Sequence, residues 1–199
     1  MKADEAADMM DREHDSDRFK QRAAVVIAVL AMLLAITGLG GGNAAKDAVN
    51  GNIAASNLYA FYQAKNARQT SLIVAADQIE LTALNDPSLP DAAKEVLRAK
   101  LAQYRATIQR YETEPATGEG KKELLERALV QEKSRDHALR QDPYFDYGEA
   151  LLQIAIVLIS VSIVANIGWL ALVGAAVGAV GTLSTLNGFF LFVSIPGLG

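Results

Sequence analysis

The sequence predicts an all-α integral membrane protein with three transmembrane helices and an extracytoplasmic antiparallel helical hairpin between the first two of them. The main observation is that positions 150–199 contain no Asp, Glu, Lys, Arg or His. A single helix of that length would run about 75 Å across a hydrocarbon core of roughly 30 Å, so it must fold back at least once. A second apolar run covers Ala23 to Leu39, and the residues between the two runs are polar and rich in helix formers.

Composition supports this class and excludes others. The chain has 199 residues, of which 51% are hydrophobic, and its 19 basic and 23 acidic residues are interspersed rather than grouped. Interspersed charges of both signs are typical of a solvated surface, and they indicate no nucleic-acid partner. The chain has no cysteine, which excludes disulfides, thiolate metal sites and thiol nucleophiles.

The N-terminal region predicts a tail followed by one span. Residues 1–22 are highly charged and show no sustained apolar period, which indicates a cytoplasmic tail. Residues 23–39 are predicted to form the first transmembrane helix, ending at the glycine-rich segment Gly38–Gly42. A cleavable signal peptide is the alternative, and the acidic lead-in argues against it because signal peptides begin with a basic region.

Residues 44–143 are predicted to form the extracytoplasmic helical domain. Its first helix, Ala44 to Asn85, contains no proline. Apolar and small residues recur on this helix in a weak heptad seam: Val49, Ile53, Ser56, Ala60, Ala67, Val74, Leu81 and Leu84. The two prolines between Asn85 and Asp91 must break the helix, and Ser88 with Asp91 resembles a capping box that starts the next one.

The second helix of this domain, roughly Leu89 to Glu114, has the cleanest pattern in the chain. Its apolar stripe has spacings of 4, 3, 4 and 3 and consists of Leu97, Leu101, Tyr104, Ile108 and Tyr111. A loop then precedes a third helix from Lys121 to Arg140, after which Asp142-Pro143 marks a kink or a fresh helix start. The second and third helices together match the first in length, which predicts an antiparallel hairpin.

The C-terminal region predicts two spans. Residues 150–165 form the second and residues 169–186 the third, joined by a tight turn at Asn166. The apolar tail, residues 187–199, either extends the third span to Val193 or finishes irregularly because of Pro196. In the third span the small residues Gly174, Gly178 and Gly181 favour close helix packing, within the chain or between subunits.

The basic residues predict the orientation. Arg12, Arg18, Lys20 and Arg22 precede the first span, whereas only Lys46 closely follows it, so we expect the N-terminus to be cytoplasmic. Basic residues also flank the second span on the opposite side: Lys133, Arg135 and Arg140. Long loops translocate largely regardless of their charge, so this second group carries less weight.

Two segments bring a family resemblance. The segment Asn57–Asn66, NLYAFYQAKN, together with Ala150–Leu158, ALLQIAIVL, resembles an uncharacterised bacterial membrane-protein family, domain-of-unknown-function family four-three-three-seven. The resemblance implies the architecture described above, in a bacterial membrane protein. Together with the basic residues around the first span, it leads us to expect an inner-membrane location with the large loop periplasmic. Members often carry basic residues between the last two spans, and this sequence has none. The family implies no activity and no catalytic residues.

The motif on the first long helix contacts more than one neighbour. Tyr59, Phe61, Tyr62 and Gln63 cannot share one face because successive helical residues are about 100° apart. One interpretation is that the aromatic rings pack against returning helices while Gln63, Lys65 and Asn66 meet backbone or carboxylate partners. The other is a ligand or lipid-headgroup site. Four asparagines on this helix, Asn50, Asn52, Asn57 and Asn66, favour self-association, since asparagine at a seam specifies register.

The sequence contains no group of residues with the spacing of a catalytic or metal-binding site. His14 and His137 are far apart, Glu112, Glu114, Glu119 and Glu123 lack the spacing of a calcium loop, and no ionisable residue lies deep in a predicted span. We therefore expect no enzyme activity, no metal and no cofactor.

The predicted function is that of a non-enzymatic inner-membrane protein that acts by self-association or partner binding, as an envelope scaffold or adaptor. Its expected partners are membrane lipids, further copies of the chain and an envelope protein, without nucleic acid. The alternative is an accessory or pore-forming subunit of a transport system. The residues expected to carry packing or assembly are Tyr59, Phe61, Tyr62, Gln63, Leu97, Leu101, Tyr104, Ile108, Gly174, Gly178 and Gly181.

Overall fold

The computed structural model describes the backbone of residues 3–194 and the side chains from Ser16 onward within that range. Every element in it is helical, which confirms the all-α prediction. The elements are α1 (Ala3–Gln78), a π-helical turn (Ile79–Ala83), α2 (Asp91–Glu112), α3 (Lys121–Ala165) and α4 (Gly168–Phe190). Some of the predictions fall outside the described part of the chain. They are those about residues 1–2 and 195–199, Pro196 included, and about the side chains of Arg12 and His14.

The chain forms two compact units. The terminal unit comprises Met1–Ala48 and Asp136–Gly199, and the central unit comprises Val49–Arg135. Three helical segments are long and apolar enough to cross a membrane: Ser16–Ala83, Lys121–Ala165 and Gly168–Phe190. The apolar stretches of all three lie in the terminal unit, and the ion pairs Lys65–Glu114 and Arg105–Glu80 lie in the central unit.

The core of the terminal unit joins the N-terminal part of α1 to the C-terminal part of α3. Its buried members are Ala23, Leu30, Leu152, Ala155 and Ile159. Partly buried aliphatic residues surround them, including Val177 on α4. The three apolar helices of this unit therefore share one core.

The glycine-rich segment Gly38–Gly42 does not end the first helix, contrary to the prediction, because α1 continues through it. A Cβ added to Gly40 would lie 2.6 Å from Phe145 Cε1 and 2.9 Å from Phe189 Cζ. The two rings pack edge to face with centroids 4.8 Å apart. Glycine in a helix is destabilising by roughly 0.5–1 kcal/mol relative to alanine, and here its lack of a side chain makes room for an aromatic pair.

The C-terminal helices differ from the prediction at two boundaries. No fresh helix starts at Pro143, which lies inside α3. The turn falls at Asn166 as expected, with a φ of 56°. α4 extends beyond Leu186 to Phe190, where Leu191 adopts the left-handed conformation. Asn187 fixes this end, since its side chain accepts a hydrogen bond from the Val193 amide at 2.9 Å.

In the central unit, α2 runs antiparallel to the segment of α1 that it contacts. Arg105 Nη2 lies 2.6 Å from Glu80 Oε2, in the π-helical turn that follows α1. One turn further along α2, the Ile108 carbonyl accepts a hydrogen bond from Gln69 Nε2 at 3.0 Å. The later residue of α2 therefore contacts the earlier residue of the first chain segment. The two helices run in opposite directions.

The buried seam of α1 in the central unit differs from the predicted one. Its buried and half-buried residues follow 4-3 spacing: Gly51, Ala55, Leu58, Tyr62, Lys65, Gln69, Leu72 and Ala76. The residues predicted to line the seam, such as Val49, Ile53 and Val74, are exposed instead. Small residues allow closer approach than Val or Ile would: a Cβ on Gly51 would lie only 3.1 Å from the Gln131 carbonyl oxygen on α3.

The predicted capping box is also wrong. The N-cap residue of α2 is Pro90, and no side chain caps the helix. The Ser88 amide and hydroxyl both donate to Asp86 Oδ1, at 2.8 and 2.6 Å. Asp86 thus organises the turn before the helix, as aspartate commonly does with residues two positions ahead.

Candidate functional site

A buried lysine connects α1 to the loop between α2 and α3. Lys65 is 5% exposed, and its Nζ donates to the Glu119 carbonyl oxygen. The same nitrogen lies 3.6 Å from Glu114 Oε2 and 3.7 Å from Glu119 Oε2. It also lies 5.2 Å from the ring centroid of Phe61 and 5.7 Å from that of Tyr111. Two carboxylates and two ring faces thus compensate the buried charge.

One turn further along α1, Gln69 begins a second set of hydrogen bonds. Its side chain is buried, donates to Glu112 Oε2 at 3.1 Å and accepts from Lys121 Nζ at 2.7 Å. Lys121 Nζ also reaches Asn66 Oδ1 at 2.9 Å and Glu112 Oε2 at 3.2 Å. The ring of Tyr62 lies 5.6 Å from the same nitrogen. Residues of α1, α2 and α3 therefore meet in one polar cluster.

Hydrogen bonds lower the pKa of two carboxyl groups in this cluster. The Gln69 amide and then the Lys121 ammonium hold the pKa of Glu112 below its usual value. The Thr113 hydroxyl, 2.7 Å away, is the main cause of the lowered pKa of Glu123, which also accepts from the Glu114 amide at 3.2 Å. Both groups are therefore stabilised as carboxylates, the form that accepts hydrogen bonds and pairs with lysine.

Two glycines give the α2–α3 loop its path. Gly118 has a φ of +68°, a conformation that residues with a Cβ rarely adopt. A Cβ on Gly120 would lie 2.4 Å from the Glu114 amide nitrogen and 2.7 Å from Thr113 Cα. Backbone atoms cannot move aside as a side chain can, so Gly120 is required for this close approach.

The polar cluster is suited to holding helices together. Each of its carboxylates pairs with a cation or accepts a hydrogen bond. Within the described part of the chain, every buried side-chain nitrogen or oxygen has a partner, and no three His, Asp or Glu residues are grouped to hold a metal. The four glutamates that the sequence places around this loop are thus engaged with the protein itself.

The glycines of α4 form a second packing site, in the terminal unit. Gly174, Gly178 and Gly181 are all buried. A Cβ on Gly174 would lie 2.7 Å from Ile159 Cγ1, and one on Gly178 would lie 2.8 Å from Leu30 Cδ2. The sequence left two interpretations of these glycines, packing within the chain or packing between subunits. The atoms nearest to them belong to α1 and α3 of the same chain, so they pack within the chain.

The structure separates the other predicted residues. Tyr59 is half-buried, and its pKa is raised by desolvation and by a hydrogen bond with Glu132. Gln63 is exposed rather than bonded to a carboxylate, and it lines an open polar groove of about 340 Å³ with Tyr59 and Asn52.

On α2, Leu101 is buried, whereas Leu97, Tyr104 and Ile108 are half-buried. Phe61, Tyr62 and Ile108 contribute to the polar cluster, the first two through their rings and the third through its carbonyl. Sequence reasoning missed Gln69 and Lys121 there. One feature of the sequence could have identified Gln69: Tyr62, Lys65 and Gln69 follow one another at spacings of 3 and 4. This spacing places three polar residues on the same face of the helix.

The YQAK motif thus has a structural explanation: Tyr62 and Lys65 point toward the α2–α3 loop, and Gln63 points outward. No curated protein and no solved structure matches the chain. The model of one family, described as a domain of unknown function (DUF4337), matches residues 19–191, which include the motif, all of the central unit, most of the terminal unit and the glycine-rich α4. The chain therefore belongs to the DUF4337 family.

Proposed function

We propose that this chain is a membrane-anchored helical scaffold that works by assembly, with other copies of itself or with an envelope protein. In this proposal the apolar helices span the bacterial inner membrane, and the central unit is an extracytoplasmic antiparallel hairpin. The observation that carries the proposal is the complete internal pairing of the polar cluster at Lys65 and Gln69. Groups already engaged within the fold stabilise it and are poorly placed to act on a substrate.

The exposed residues of the terminal unit support the membrane location. Large aliphatic side chains remain strongly exposed on each apolar helix, as at Leu39 on α1, Val157 on α3 and Leu172 on α4. Soluble monomers rarely expose apolar surface on this scale, whereas lipid tails solvate it favourably. α4 alone is 23 residues long, about 35 Å, enough to cross a hydrocarbon core of roughly 30 Å.

The orientation can be tested with single cysteines because the chain contains none. Lys20 and Ala116 are both exposed, and they lie in the terminal and central units respectively. We expect an impermeant thiol reagent to label Ala116→Cys on intact spheroplasts and to label Lys20→Cys only after lysis. Labelling of Lys20→Cys alone on intact spheroplasts would reverse the proposed orientation.

Assembly itself can be tested by native mass spectrometry after extraction in several mild detergents. We expect an oligomer or a complex with a second protein in each detergent. A strictly monomeric chain without partners would contradict the scaffold function. A reproducible ion flux through liposomes that contain the purified chain would favour the transport alternative instead.

A further inference from the structure

An apolar groove of about 550 Å³ lies in the terminal unit. It is lined by α3, by α4 and by the segment that follows α4, and its apolar lining includes Tyr144, Tyr147, Leu151, Val180, Leu183 and Phe192. Three of these residues are strongly exposed: Tyr147 55%, Leu183 65% and Phe192 75%. The groove is therefore open along one side of the helix pair.

Three polar side chains in the lining are bound to the protein itself. The Tyr144 hydroxyl donates to the Val193 carbonyl at 3.1 Å, and the Ser184 hydroxyl donates to the Tyr144 carbonyl at 2.8 Å. The Asn187 side chain donates to the Val193 carbonyl at 2.8 Å and accepts from the Val193 amide at 2.9 Å. The remaining lining is aliphatic or aromatic. The groove therefore suits an apolar ligand, since it offers a polar one few hydrogen bonds.

Val193 closes one end of the groove. Its backbone is bound by Tyr144 of α3 and by Asn187 of α4, so the segment after α4 crosses between the two helices there. From this end the groove follows α3 for two turns, from Tyr144 to Leu151, about 10 Å. An α-helix with its side chains is itself about 10–12 Å wide. A groove this short favours a single hydrocarbon chain over a helix as its occupant.

One basic residue lies on the groove face of α3. Arg140 precedes Tyr144 by one turn and is exposed, and it forms no ion pair within the described part of the chain. Asp136 is one turn further from the groove. Three acidic residues lie about 140–200° around the helix from Tyr144, on the other face: Asp142, Asp146 and Glu149. Positions 150–199 contain no charge, so Arg140 is the charged residue closest along α3 on the groove face.

We propose that this groove binds one acyl chain of an anionic phospholipid, whose phosphate pairs with Arg140. The proposal rests on the proposed membrane location, because the exposed faces of helices in a bilayer contact acyl chains. Tyrosine is enriched at the level of the lipid headgroups, and Tyr147 lies beside the open side of the groove. An apolar groove with one cation a turn away matches a molecule that has an apolar chain and an anionic head.

Native mass spectrometry tests the acyl chain. The chain is purified in mild detergent with equal amounts of phosphatidylglycerol and phosphatidylethanolamine. Leu183→Trp would fill the groove, and Leu172→Trp, also exposed on α4 but outside the groove, is the matched control. We expect one retained phospholipid per chain in the wild type and in the control, and at least about fivefold less in Leu183→Trp. Equal retention in the two variants would overturn the proposal, as would an oligomer that Leu183→Trp dissociates without release of lipid, since the groove would then hold a protein helix.

The headgroup is tested in the same mixture. A basic residue near a membrane surface contributes about 1 kcal/mol to the binding of anionic lipid, so we expect Arg140→Gln to lower the preference for phosphatidylglycerol about fivefold. Lys46→Gln makes the same charge change at an exposed position of α1 in the same unit and should keep the preference. Equal preferences in these two variants would overturn the pairing of the phosphate with Arg140.

Photo-cross-linking of the wild type in liposomes needs no variant. With a phosphatidylglycerol that carries a diazirine on its acyl chain, we expect labelling at Leu151 and Leu183 to exceed labelling at Val157 and Leu172, which lie outside the groove on the same two helices. Equal labelling at all four positions would overturn the groove proposal and leave the membrane location standing. An absence of labelling at all four would overturn both.

Discussion

Thr37 on α1 and Thr185 on α4 share a buried hydrogen bond between side-chain oxygens 2.8 Å apart. Each hydroxyl also approaches a carbonyl of its own helix: Leu33 at 2.8 Å for Thr37, and Gly181 at 3.0 Å for Thr185. A hydroxyl has one proton, so one threonine donates to its own backbone and the other donates across the helix pair. Both hydroxyls are thereby satisfied where α1 and α4 pack.

The threonine pair should contribute modestly to stability. Thr37→Val and Thr185→Val keep the shape of the side chains and remove the bond, and hydrogen bonds between membrane helices average about 0.6 kcal/mol in double-mutant cycles. We expect a coupling energy of that size between the two variants, measured from thermal unfolding in detergent. A coupling near zero would show that the two hydroxyls act independently.

The glycines of α4 should matter more than the threonines. A Cβ on Gly178 would lie 2.8 Å from Leu30 Cδ2 and 3.2 Å from Ala155 Cβ, whereas one on Gly168 meets nothing within 4 Å. We expect Gly178→Ala to destabilise by about 1–3 kcal/mol through overpacking. Gly168→Ala, on the same helix, is the control and should be neutral or slightly stabilising. Gly178→Leu should disrupt the bundle, as seen by melting in detergent, and equal melting temperatures for the two alanine variants would contradict this packing.

Leu101 should be the main apolar anchor of α2. It is 6% exposed, while Val96 on the same helix is 67% exposed. Removing a buried leucine side chain typically costs about 2–5 kcal/mol, so Leu101→Ala should lower the urea midpoint substantially and Val96→Ala should leave it unchanged. Leu101→Asp should be worse still, because it buries a charge. Unchanged helicity, melting temperature and oligomer size in Leu101→Asp would show that this face of α2 opens to water.

Lys65 should hold the α2–α3 loop against α1. Lys65→Ala removes the bond to the Glu119 carbonyl and the ion pairs with Glu114 and Glu119. Glu114 and Glu119 are partly exposed and can rehydrate, so we expect a loss of about 1–3 kcal/mol and faster amide exchange at residues 113–120. Arg68→Ala, at an exposed position three residues on, is the matched control. Equal amide exchange rates in the two variants would show that Lys65 does not hold the loop against α1.

The stability of the central unit should fall in acid. The pKa of Glu112 is lowered in the folded chain by Gln69 and then Lys121, from an ordinary value of 4.5. The carboxylate's contribution is therefore complete above pH 4.5 and is lost as the pH falls through the lowered folded value. We expect Glu112→Gln to reduce this loss in urea titrations between neutral pH and pH 3. An identical pH profile for the variant would assign the acid sensitivity to other carboxylates.

Local signals in the sequence predicted several features of the fold. An uninterrupted apolar run with no charge requires helices in a nonpolar environment, so the apolar stretches of α1, α3 and α4 could be identified before any contact was known. Proline and glycine disrupt helices locally, and the breaks after Ala83 and Glu112 were therefore predictable. The start of α3 at Lys121 and the turn at Asn166 follow from equally local rules.

Tertiary structure alone decided which face of α1 is covered. The central part of α1 has two heptad stripes, and the one with larger aliphatic residues, such as Val49 and Ile53, was the natural choice for the seam. The fold buries the stripe of Gly51 and Ala55 instead, because a neighbouring backbone approaches more closely than a branched side chain permits. In the same way, the sequence around Gly40 predicts the end of a helix. The structure shows instead that Gly40 lies inside a helix and contacts the ring of Phe145. Periodicity records that a helix face can be buried, but which face is buried depends on partners distant in sequence.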